Sequence, residues 1–118
     1  MAVGFTPKHV EDFPLNDLTQ QLFLVLANET VKKIGWKVNY QSVNGLICFT
    51  NNGMFFWNAE IKIKIENGVA NITSASTGND VIDWGKNKKN VTNFKATFQK
   101  LKKNLTKEVL NAKYHIPF

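Results

Sequence analysis

With 118 residues, 43% of them hydrophobic and among them nine Phe and three Trp, the chain has enough large apolar surface to offset the entropy of ordering. That excludes an intrinsically disordered polypeptide and predicts one domain over residues 1–118. Its formal net charge of +6 is carried by lysine alone; without the planar fork of arginine, sequence-specific readout of nucleic acid is disfavoured.

The charge is unevenly placed. Residues 1–84 hold six Lys against eight acidic groups, whereas residues 85–118 hold nine Lys against Glu108 alone. The longest apolar stretch, Leu22 to Ala27, has six residues, far below the roughly 20 that cross a bilayer. No transmembrane segment is expected. The first residues also lack the basic and apolar regions of a secretory leader, which predicts a cytoplasmic location and leaves the sequons at Asn28, Asn71, Asn90 and Asn104 without glycosylation machinery.

In chain order, Phe5 to Leu15 reads as an extended lead-in or short edge strand, because Pro7 and Pro14 resist helix and central-strand positions. Asn16 or Asp17 is the expected N-cap of a helix running to about Lys33, with Gly35 as its terminator. Leu18, Leu22, Val25 and Leu26, with Phe23, Ala27, Thr30 and Ile34, give that helix a wide apolar face.

Four strands follow. Trp36 to Gln41 alternates apolar and polar residues, and Asn44-Gly45 offers a hairpin dipeptide that tolerates positive φ before Leu46 to Thr50 returns. Cys48 sits in this apolar run, and as the single cysteine it is expected to pack as a small hydrophobe. Asn51-Asn52-Gly53 marks the next reversal. Phe55, Trp57, Ala59, Ile61, Ile63 and Ile65 then share one face, with Asn58, Glu60, Lys62, Lys64 and Glu66 on the other. Trp36 and Trp57 are expected in the core. Lys62 and Lys64 lack the aromatic interleaving of a single-strand nucleic-acid platform. Asn67-Gly68 turns the chain into Val69 to Ser76.

A polar loop from Thr77 precedes a second helix that Asn90 is positioned to cap. Val91, Phe94, Phe98, Leu101 and Leu105 recur at spacings of three and four, with lysines elsewhere, so this helix is amphipathic and basic. A further turn from Thr106 through Tyr114 completes the pattern. The expected fold is α+β: a four- or five-stranded, mostly antiparallel sheet with two main helices on one face, in the order (β)-α-β-β-β-β-α.

Chemistry is sparse. His9 and His115 lie near opposite ends, outside any nucleophile motif, and one Cys with two His gives no metal-ligand spacing. Neither glycine-rich phosphate fingerprint occurs. No cofactor, metal or catalytic residue is assigned.

Two regions remain as candidate binding sites. In the first, Asn79, Asp80, Asp83 and Lys86 surround Trp84; neighbouring carboxylates and an ammonium shift one another's titration and can hold a small ligand, while Asp and Asn equally serve as turn-capping residues. In the second, Lys86, Lys88, Lys89, Lys100, Lys102 and Lys103 form a basic patch on the second helix, suited to a protein partner or an anionic membrane surface and equally to a solvated face.

Gly35-Trp36, Ser76-Thr77-Gly78-Asn79 and the run Asp83-Trp84-Gly85-Lys86-Asn87-Lys88-Lys89-Asn90 resemble a small α+β domain of bacteria. That domain is found alone and as a soluble appendage of some rhomboid-family intramembrane serine proteases. The resemblance spans residues of about 5 to 110 and implies an accessory or interaction role, at the cytoplasmic face of a membrane. It does not imply protease activity, because the rhomboid Ser-His pair lies in membrane helices that this chain lacks.

Overall fold

The even alternation of Ala59, Ile61, Ile63 and Ile65 is realised as a strand whose apolar side chains are all buried and whose Lys62, Lys64 and Glu66 face solvent. In a pleated strand successive side chains point to opposite faces, so one such strand defines both faces of the sheet. The computed structural model describes residues 8–50, 59–76 and 85–104. They form β1 (Lys8–Pro14), α1 (Gln20–Ile34), β2 (Lys37–Ser42), β3 (Gly45–Phe49), β4 (Ala59–Glu66), β5 (Val69–Ser76) and α2 (Lys86–Asn104). The five strands make one antiparallel sheet in the order β1-β5-β4-β3-β2, as the sequence leads one to expect of an α+β fold. β1 is an edge strand, in keeping with Pro14 at its end.

Both helices pack on the inner face. Phe13 of β1 meets Phe23 of α1 edge-on at 5.6 Å and Phe98 of α2 at 5.0 Å between ring centroids, and Phe23 lies 4.8 Å from Phe98. Trp36, just before β2, stacks on Phe94 at 6.5 Å. Each such aromatic pair adds about 0.5–1.5 kcal/mol beyond its buried area, and the cluster ties both helices to β1 within the larger apolar core. Cys48 is fully buried, and loss of hydration pushes its thiol up to about 12.

Several local expectations are corrected. Helix α1 is capped by Thr19, whose Oγ1 accepts from the Leu22 amide at 3.1 Å, and not by Asn16 or Asp17. Asn16 instead takes φ 58° in the turn that leads out of β1, a conformation Asn tolerates better than most residues. Gly35 does end the helix, in the left-handed region at φ 99°. The residues α1 buries are Phe23, Leu24, Leu26, Ala27, Thr30 and Val31, with Leu22 and Val25 half-buried beside them. Buried Thr30 is satisfied by donating to the Leu26 carbonyl at 2.7 Å.

The β2–β3 hairpin turns at Val43 and Asn44, since Ser42 pairs with Gly45. Gly45 is required for space and not for positive φ: a Cβ there would stand 2.7 Å from the Ile63 carbonyl oxygen. In β2 a register shift between Val38 and Tyr40 breaks the alternation, so Val38 pairs with inward Cys48 and Tyr40 with outward Ile47. Asn67 and Gly68, at φ 52° and 77°, form the two-residue turn expected between β4 and β5. Helix α2 begins at Lys86, where Lys89 donates to the Gly85 carbonyl, four residues before the expected cap Asn90. The expected features at Asn51-Asn52-Gly53, Phe55, Trp57, Leu105, the Thr106 to Tyr114 turn and His115 lie outside the described residues.

Candidate anionic-surface site on helix α2

Helix α2 has the sequence KNKKNVTNFKATFQKLKKN, with seven lysines and no acidic residue. Val91, Phe94 and Phe98 are buried along one seam, and helical spacing of three and four places Lys89, Ala96, Lys100 and Lys103 on the opposite side. The apolar side chains are thus spent on the core, and the solvent side keeps ammonium groups and small residues. A shallow depression of about 470 Å³ on it is lined by Gly85, Lys88, Lys89, Thr92, Asn93 and Ala96.

The lysines are not equivalent. Lys95 reaches Glu11 Oε1 of β1 at 2.8 Å and passes 5.9 Å over the Phe13 ring. Lys102, expected in the basic patch, lies 2.9 Å from Asp17 Oδ1 in the turn before α1. These two cations brace the helix against β1 and the β1–α1 turn. Lys88, Lys89, Lys100 and Lys103 have no acidic partner among the described residues, and their charge stays on the surface.

The first turn of α2 is held from below by a buried polar cluster that the apolar pattern gave no cause to expect. Ser74 Oγ donates to Asn87 Oδ1 at 2.7 Å, Asn87 Nδ2 donates to Ser76 Oγ at 3.0 Å, and Asn90 Nδ2 donates to Ser74 Oγ at 3.1 Å. Ser74 is fully buried, with Asn87 and Ser76 nearly so. Buried polar groups persist only when their hydrogen bonds are met, and here the end of β5 and the start of α2 meet them mutually. The cluster fixes both ends of the segment carrying Asn79, Asp80, Asp83 and Trp84, which lie outside the described residues; Lys86 is the first residue of α2.

One other grouping combines catalytic residue types. His9, Glu11 and Ser74 share the inner face, with His9 opposite Ser74 in register, and His9 Nε2 lies 2.6 Å from Glu11 Oε2. A nucleophilic serine needs its proton directed at the base. The Ser74 hydroxyl instead donates to Asn87 and is sealed from solvent. The bond to Lys95, with that to His9, holds the Glu11 carboxyl below its ordinary range. This group reads as a structural clasp between β1 and α2.

The outer sheet face is open, and across it Tyr40, Ile47, Lys62, Thr73 and Val10 fall in one row. Aromatic and lysine residues therefore do neighbour one another across strands, a juxtaposition invisible along any single strand. Glu60, Glu66 and Asp12 are interspersed on the same face, so it carries no consistent sign.

Among the described residues no helix is long and apolar enough to cross a membrane, and no three His, Cys, Asp or Glu side chains converge as metal ligands. No protein-family model and no curated protein matches the chain.

Proposed function

We propose that the protein is a non-enzymatic binding module that engages an anionic partner surface through the solvent side of α2. The observation that carries this reading is the partition of the α2 lysines: Lys95 and Lys102 are tied to acidic groups of the fold, while Lys88, Lys89, Lys100 and Lys103 have no acidic partner among the described residues. Lys95 and Lys102 are engaged by the fold itself, and the other four ammonium groups keep their charge for solvent or an anionic surface. Four ammonium groups held on a rigid helix give instead a field of one sign, which attracts an opposite charge over about a Debye length, ~8 Å at physiological ionic strength.

The wiring of Ser74 to Asn87 supports the non-enzymatic part of this reading, since the serine in register with His9 points its proton elsewhere. A second reading, ligand capture by Asp80, Asp83, Trp84 and Lys86, is favoured by the Ser74-Ser76-Asn87-Asn90 cluster. The cluster holds Ser76 and Asn87, the described residues on either side of that segment.

The test is a calorimetric titration with polyglutamate at low and physiological salt. The wild type binds and a Lys89→Glu, Lys100→Glu, Lys103→Glu variant does not. Equal binding by the variant overturns the reading.

A further inference from the structure

Resting on that reading, we infer that the anionic partner is the headgroup surface of a lipid bilayer, met by α2 lying flat with no side chain inserted. Its first support is length. At 1.5 Å per residue Lys89 and Lys100 stand about 16 Å apart, and Lys88 and Lys103 about 22 Å, too far for one phosphate or carboxylate to bridge. The occupant must repeat its charge along the helix.

The second support is the composition of the stripe between those ends. Thr92, Asn93 and Ala96 are exposed there, with no aromatic, large aliphatic or arginine side chain. Protein partners bind through a few such anchors buried at the centre of an interface, and single-stranded nucleic acid through exposed aromatic rings. Among the described residues neither is present on this side of α2, because Val91, Phe94 and Phe98 are turned into the core. An anionic bilayer asks for no anchor, since each lysine near its surface adds attraction independently. The same burial rules out an amphipathic helix that sinks into acyl chains. Binding is therefore peripheral, reversible and salt-sensitive.

The experiment is co-sedimentation of the full chain with vesicles of phosphatidylcholine alone or with about one third phosphatidylserine, run beside the polyglutamate titration. Three proteins are compared after circular dichroism confirms their fold. They are the wild type, the Lys89→Glu, Lys100→Glu, Lys103→Glu variant, and a charge-matched Lys37→Glu, Lys62→Glu, Lys64→Glu variant altered only on the outer sheet face.

The expected result is wild-type partition onto anionic vesicles only, weakened on the order of 100-fold in the α2 variant, at about fivefold or more per lysine, and far less in the sheet variant. Equal weakening in both variants overturns the assignment to α2. Binding to polyglutamate without binding to vesicles overturns the lipid inference and leaves the anionic reading standing. Binding to neither overturns both.

Discussion

Ser74 Oγ donates to Asn87 Oδ1 at 2.7 Å with both side chains sealed from water. This bond joins the C-terminal end of β5 to the first turn of α2. Removing one partner of a buried pair leaves the other unsatisfied, at about 1–3 kcal/mol per group. Asn87→Ala should therefore lower stability by about 2–3 kcal/mol in urea denaturation, and Asn90→Ala, half-buried, by about 1 kcal/mol. Equal, small losses would show that the cluster is not sealed.

Gly45 and Gly68 should respond differently to alanine. At Gly45 the new methyl meets a backbone oxygen of β4 at 2.7 Å, which only a shift of the strand can relieve; overpacking of this kind costs about 1–3 kcal/mol. Gly68 has open space and a φ of 77°, so the strain there is conformational, about 1 kcal/mol. Denaturation midpoints should place Gly45→Ala below Gly68→Ala.

The clasp of Glu11 with Lys95 and His9 predicts a pH dependence. The folded-state carboxyl is held below its ordinary 4.5, first by the Lys95 hydrogen bond and then by His9. A depressed carboxyl contributes stability that is fully present above pH 4.5 and is lost as pH falls through the lower folded value. Glu11→Gln should cost up to about 1 kcal/mol at pH 7, as the pair is partly solvated, and the gap from wild type should close below the folded value. Thermal melts from pH 3 to 7 measure it; a constant gap would contradict the clasp.

Cys48 is fully buried and its thiol is pushed up to about 12 by desolvation. The thiolate is the reactive form. A disulfide-exchange reagent at neutral pH should leave the native protein unmodified for hours and react within minutes in denaturant. Rapid reaction of the native state would contradict the burial.

Strand β4 was legible in the sequence because one period, two, governs Ala59 to Glu66 without interruption. The two-residue turn at Asn67 was legible for the same reason that it forms, a dipeptide that accepts positive φ. Gly45 misled: its dipeptide looks like a turn, yet the requirement comes from a strand eighteen residues later, which local reading does not see. Asn16 and Asp17 outrank Thr19 as caps in isolation, but the exit from edge strand β1 takes Asn16 for a turn and Lys102 takes Asp17. The basic character of α2 was plain from its lysines. Which of them are spoken for was not, since Glu11 and Asp17 lie 84 and 85 residues away along the chain. Ser74 and Ser76 of β5 face inward, where Asn87 and Asn90 meet them, and a strand's own pattern carries no sign of that.

Docking of α2 on a lipid surface is read residue by residue in an amide NMR titration of the labelled protein with phosphatidylserine-containing vesicles at physiological salt. Broadening is expected to be confined to α2, strongest at Lys88, Lys89, Thr92, Asn93, Ala96, Lys100 and Lys103, with β1 to β5 unaffected. Broadening centred on the outer sheet row of Tyr40, Ile47 and Lys62, or no broadening at all, excludes docking through α2.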